Sequence, residues 1–136
     1  MRELILDANV LVRFLVQDVP PQAKAARKLV EQAESGALLL VVDPMIIAET
    51  VYVLTSFYKK PREAVADALM AFVQSDGVSV AEESRLVDAL RRFQRSSVDF
   101  ADAWLAATAA ETHREVASFG RDLDRFADVK RFEPRA

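Results

Sequence analysis

The chain has 136 residues, 51% of them hydrophobic, with a formal net charge of -3. That length and balance suit one globular domain over residues 1–136, exclude a disordered chain, and argue against bulk coating of nucleic acid while leaving room for a local basic groove. There is no cysteine, which excludes disulfides and thiolate metal sites and leaves oxygen ligands for any ion.

Residues 1–6 carry one basic residue and then a short apolar run, unlike a signal peptide. No stretch is long enough to span a membrane, so a soluble cytoplasmic protein without membrane partners is expected. Leu4-Ile5-Leu6 predicts a short buried strand running into Asp7-Ala8-Asn9, with a helix opening by Val10. A strand that ends in Asp and turns into a helix is a common place for a ligand-binding carboxylate in open α/β sheets, and Asp7 or Asn9 can equally be the helix cap. Pro20-Pro21 starts a second helix that continues to Ser35, with Gly36 as its stop. Residues 38–42 are apolar throughout and predict a strand covered on both faces. Asp43-Pro44 then reads as a cap followed by proline in the first turn.

The helix predicted over 44–58 has one charged residue before Lys59, Glu49, set among Met45, Ile46, Ile47, Val51, Val53 and Leu54. A buried glutamate must be neutralised, paired or bound to a cation, and the alternative is exposure on a polar edge with Thr50 and Tyr52. Further helices are expected over 62–75 and 82–95, with a weak strand at 78–80 between them. Arg85, Arg91, Arg92 and Arg95 on the second of these form a solvated face or a grip for phosphates.

Val98-Asp99-Phe100-Ala101-Asp102-Ala103 opens an alanine-rich helix that meets no further charge until Glu111. Asp99 and Asp102 are three apart and share a helix face; the simple reading is a cap and a first-turn acid favoured by the helix dipole. Trp104 reads as core or a partner contact, and His113, the lone histidine, has no partner in the sequence. Strands are expected over 116–119 and 129–132, with Gly120 to Asp124 as a loop between them. Short apolar strands alternating with helices predict an α/β fold, a three-layer α/β/α arrangement around a central, mostly parallel sheet. Acids from distant parts of such a chain, gathered at the carboxyl ends of strands, repel one another unless a hard cation such as Mg²⁺ or Mn²⁺ is bound. Phosphodiester hydrolysis is the chemistry that most often uses such a site.

Leu4-Ile5-Leu6-Asp7-Ala8-Asn9-Val10, the Ala48-Glu49 helix, the Val98-to-Ala103 segment and Ala117-Ser118-Phe119 together resemble a PIN-domain protein. More narrowly, the chain is similar to the VapC toxins of type II toxin–antitoxin pairs. The resemblance implies a Mg²⁺- or Mn²⁺-dependent ribonuclease, a cognate VapB-like antitoxin that blocks its site, and a homodimer. It assigns Asp7, Glu49 and Asp102 as catalytic metal-site acids, Asp99 as an additional acid, and Asn9 and Ser118 as supporting polar groups. Where the family usually has Asp after the Ser118-Phe119 element, this chain has Gly120, and Asp122 is the nearest acid. Two alternatives follow. One is a weakened PIN domain kept for binding, suggested by Gly120. The other is a haloacid-dehalogenase-type phosphatase, which would want Asp where Asn9 stands.

Overall fold

Three apolar segments in the first half of the chain pair side by side and in parallel. They are β1 (Arg2–Ile5), β2 (Leu38–Val42) and β3 (Val78–Val80), in that order, with β2 central. The register sets Leu4 opposite Leu40 and Val42 opposite Val80. Leu38, Leu40 and Val42 are buried while Leu39 and Val41 are half-covered, as a continuous apolar run demands of a strand with neighbours on both sides. In this computed structural model, which describes residues 1–136, the chain divides into two compact units, Met1–Glu83 and Ser84–Ala136.

The first unit adds four helical elements to its sheet. α1 (Ala8–Val16) follows β1 at once, and α2 (Pro20–Glu34) starts on proline and buries Ala23, Ala26, Val30 and Ala33. α3 (Pro44–Tyr52) does not run on as a regular α-helix to residue 58. Its winding widens to a π-helix over Val53–Phe57, closed by a 3.2 Å bond from the Tyr58 N–H to the Val53 carbonyl. Tyr58 then donates its hydroxyl to Asp18 at 2.7 Å and accepts from Arg13 at 3.0 Å, which ties the end of this helix to the turn between α1 and α2. α4 (Arg62–Val73) packs inward through Val65, Ala66, Leu69, Phe72 and Val73.

The second unit is built on α5 (Glu83–Gln94) and α6 (Phe100–Thr112), with a two-stranded parallel ladder of β4 (Val116–Ala117) and β5 (Arg131–Phe132). Both strands are shorter than the sequence predicts. Ser118 still donates its N–H to Phe132 at 3.0 Å, but its side chain then accepts from the Gly120 N–H and the chain turns away. Val129 precedes β5 and joins a small core with Ala106, Ala109 and Leu123. Leu123 lies in a single 3₁₀ turn, Asp122–Arg125. Every strand pair in the protein is parallel, and the chain is α/β.

Gly77 and Gly36 both sit at left-handed φ, +79° and +85°, but in different surroundings. A methyl at Gly77 would fall 2.1 Å from the Ala33 carbonyl oxygen, whereas a methyl at Gly36 would meet nothing within 4 Å. Gly36→Ala therefore carries only the left-handed strain, about 1–2 kcal/mol. Gly77→Ala adds a backbone clash of about 1–3 kcal/mol more and shifts α2 from the sheet. Urea titrations of the two variants should show the larger loss at Gly77; equal midpoints would contradict the close approach.

Candidate functional site

Each acid expected to carry chemistry is placed by local backbone hydrogen bonding. β1 pairs as far as the Leu6 N–H, which donates to Val41 at 2.9 Å. Leu6 is buried, and the chain leaves the sheet at exposed Asp7. Asp7 is the N-cap of α1, with one carboxylate oxygen accepting the Asn9 N–H at 3.3 Å. The cap reading and the ligand reading are therefore compatible, because a capping carboxylate engages one of its two oxygens. Asp43 does the same at the end of β2, accepting the Met45 N–H at 2.8 Å. The register that pairs Ile5 with Val41 brings these two strand exits to the same sheet edge. Asp43 therefore adds negative charge beside Asp7, a consequence of register that its sequence context, a cap before proline, does not reveal.

Glu49 lies on α3 with its side chain exposed. The polar edge expected beside it is only half right: Tyr52 is 69% exposed, but Thr50 is fully buried and returns its hydroxyl to the Ile46 carbonyl at 2.8 Å. Burial of Thr50 costs little because that local bond satisfies it.

In the second unit Asp99 is the N-cap of α6, accepting the Asp102 N–H at 3.0 Å, and Asp102 stands in the first turn. Asp102 is half-buried, and its carboxyl is pushed above the usual carboxylate range. Burial is the largest cause, followed by the negative charges of Asp99 and then Asp122. Asp122 opens the 3₁₀ turn after Gly120, so this loop brings its acid within electrostatic reach of Asp102. Gly120 itself is not in the left-handed region, and a Cβ there would meet only the Ser118 hydroxyl at 3.8 Å. Ser118 is held at the mouth of the loop, its carbonyl accepting from Arg131 at 2.9 Å.

Trp104 is not deep core. It is half-buried beneath the Arg85 guanidinium, 5.7 Å from the ring centre, and Arg85 also forks onto Glu111 at 3.2 and 3.3 Å. His113 is exposed and ends α6 in the left-handed conformation.

Asp7, Asn9 and Glu49 belong to the first unit, and Asp99, Asp102, Ser118 and Asp122 to the second. No three His, Asp or Glu side chains stand in ready ion-binding geometry. The donor set nevertheless suits a hard cation: Asp99, Asp102 and Asp122 offer oxygen only, and their mutual repulsion raises the Asp102 carboxyl. Arginines draw off other acids of this unit. Asp124 and Asp128 are held below the usual range by hydrogen bonds from Arg131 and Arg92.

The family model described as PIN domain matches residues 4–129. Comparison with curated proteins gives no match. The match establishes a nuclease-type α/β fold, of a kind that is generally dependent on divalent metal.

The raised Asp102 carboxyl has a stability consequence in the absence of divalent ions. Below the ordinary carboxylate pKa the group is protonated in both folded and unfolded chains and contributes nothing. Between that value and the raised native one the unfolded chain has released its proton while the folded chain still holds it, so stability falls across this window and stays at the lower level above it. Asp102→Asn, melted in EDTA, should gain stability over the wild type at neutral pH and lose that gain toward strongly acid pH. A pH-independent difference would contradict the electrostatic cause.

Proposed function

The chain belongs to the PIN-domain family, and from that premise we propose that it is one functional domain, a metal-dependent endoribonuclease acting as the toxin of a toxin–antitoxin pair. The observation that carries the reading is the PIN-domain match over residues 4–129, and the Asp102 carboxyl at the start of an apolar helix, raised by burial and by the charges of Asp99 and Asp122, supports it. A structural ion pair would lower it, as happens to Asp124 beside Arg131 and Asp128 beside Arg92. The phosphatase alternative falls with the family assignment.

Asp7, Glu49 and Asp102 would hold Mg²⁺ or Mn²⁺, with Asp99 and Asp122 as additional acids. When bound, such an ion supplies positive charge that polarises a scissile phosphodiester and lowers the pKa of a coordinated water. The chain's own part is positional. The Asn9 N–H orients Asp7, and the Asp99 cap orients the first turn that carries Asp102. The Ser118 hydroxyl, steadied by the Gly120 N–H at 3.2 Å, offers a polar group beside the acidic loop.

A partner is proposed on separate grounds. Met45, Tyr52 and Phe57, on α3 and its π-helical extension, are 71%, 69% and 76% exposed. Met45 and Tyr52 are seven residues apart and share a helix face, an apolar surface of the kind that partners cover. We assign that surface to a homodimer contact or to a VapB-like antitoxin whose arginine reaches the acids.

Cleavage of a structured RNA should require Mg²⁺ or Mn²⁺ and stop in EDTA. Asp7→Asn, Glu49→Gln and Asp102→Asn should each slow it by about a hundredfold or more, the kinetic equivalent of roughly 3 kcal/mol. Since Gly120 accepts a Cβ without a clash, Gly120→Asp should tighten Mg²⁺ binding and raise the rate. Undiminished cleavage in EDTA would end the metal reading, and a wild type revived only by Gly120→Asp would mark a disabled nuclease kept for binding.

Co-expression with the product of a short upstream reading frame should give a complex weakened by Asp102→Ala, because an arginine buried against the acid loses its partner. A complex indifferent to Asp7, Glu49 and Asp102 would exclude direct occlusion of the site. Sedimentation of Tyr52→Glu and Phe57→Glu tests the homodimer, whose contact should weaken.

A further inference from the structure

Three arginines at the end of α5 share one concavity with a fourth from another element. Arg91, Arg92 and Arg95 line a cavity of about 470 Å³ together with Arg125 from the 3₁₀ turn and the half-buried ring of Phe126. Arg91, Arg95 and Arg125 are exposed. Arg92 is locked beneath them: it forks onto Asp128 at 2.9 and 2.5 Å, bonds Asp88 at 3.1 Å, and lies 5.2 Å from the centre of the Phe126 ring. Arg125 donates to the neutral Ser97 hydroxyl and keeps its charge uncompensated there.

The bland account is that cations at a helix C-terminus complement the helix dipole. It covers Arg91, Arg92 and Arg95, but not Arg125, which reaches the same concavity from 30 residues further on. Four guanidiniums against two carboxylates leave the cavity positive in a chain whose net charge is -3. Like charges gathered in one hollow repel unless an anion lies among them.

We propose that this cavity is a binding site for the phosphodiester backbone of single-stranded RNA, with Arg91, Arg95 and Arg125 on phosphates and Phe126, covered by Arg92 and packed on the small core, as its floor. The inference rests on the ribonuclease reading, which makes RNA the polyanion at hand, and it names a second contact for that substrate beyond the metal-site acids. Guanidinium forks match phosphate oxygens two by two. Arg95 follows the end of α5 directly, and its N–H donates to the Arg91 carbonyl at 3.0 Å, so it stands one turn after Arg91 on the same side and the two can meet successive phosphates. Arg92 positions the site: its fork onto Asp128 anchors α5 to the segment that follows Phe126, and its bond to Asp88, one turn back on α5, holds the guanidinium in place.

The test is fluorescence anisotropy of a labelled uridine oligomer of about twelve nucleotides, titrated with the full chain in EDTA so that no cleavage intervenes. Arg91→Ala/Arg95→Ala should weaken binding by about tenfold or more at low salt. It should also flatten the slope of log affinity against log salt by about 1.4, two contacts at roughly 0.7 each for a single strand. Arg91→Lys/Arg95→Lys should keep most of the slope, and Lys24→Ala/Lys28→Ala on α2 should leave affinity and slope unchanged. Wild-type affinity and slope in the double alanine variant would overturn the proposal. So would a wild type that binds an oligoglutamate peptide in place of the RNA, which would make the cavity a protein-docking surface. Metal-dependent cleavage measured in parallel separates the two readings. Cleavage with arginine-independent binding overturns this site alone, whereas arginine-dependent binding without cleavage of any RNA overturns the ribonuclease and leaves the site.

Discussion

A carboxylate accepting a backbone N–H at the start of a helix is the interaction on which the placement of the acids depends. It occurs at Asp7, Asp43 and Asp99, each time where the chain enters a helix. The bond satisfies a donor that the helix itself cannot, and it fixes the carboxylate with one oxygen engaged. A cap worth about 1 kcal/mol thus holds an acid at the helix start with its second oxygen free for a ligand. Structural and functional readings of these residues describe the same geometry.

The second constraint is the way charge is divided in the second unit. Arg131 bonds Asp124 and Glu133 at 3.0 Å, and Arg92 bonds Asp88 and Asp128. These acids are neutralised locally, and the surface pairs among them contribute little to stability. Asp102 stands apart, close enough to Asp99 and Asp122 to be pushed upward. A chain that supplies arginines to some acids and withholds them from others leaves a localised negative potential, which suits a hard cation and costs stability without one.

Small side chains make room for this arrangement. Ala103, Ala106, Ala107 and Ala109 of α6 are buried, and Ala106 and Ala109 pack with Leu123 of the 3₁₀ turn. That contact holds the loop carrying Asp122 close to the helix carrying Asp102. Larger residues there would push the turn outward and separate the acids, so the alanine content of α6 bears on electrostatics as much as on packing.

Much of this was legible from local chemistry. Leu38 to Val42 as a covered strand, Asp43-Pro44 as a helix start and Asp99 as a cap are set by neighbours within a few residues, so the sequence alone determines them. The family resemblance rested on the same short segments, and the PIN-domain match over residues 4–129 agrees with it. The π-helical turn after Tyr52, the burial of Thr50, the brevity of β4 and β5 and the gathering of Arg125 with the arginines of α5 had no such signal. Most of these depend on groups that sequence spacing does not bring together: Tyr58 bonds Asp18, forty residues away, and Arg125 joins Arg91, Arg92 and Arg95 in one cavity. Sequence determines which backbone groups need a partner and which side chains seek burial. Only the tertiary structure decides which distant groups meet them, because that choice depends on the register and packing of the whole unit.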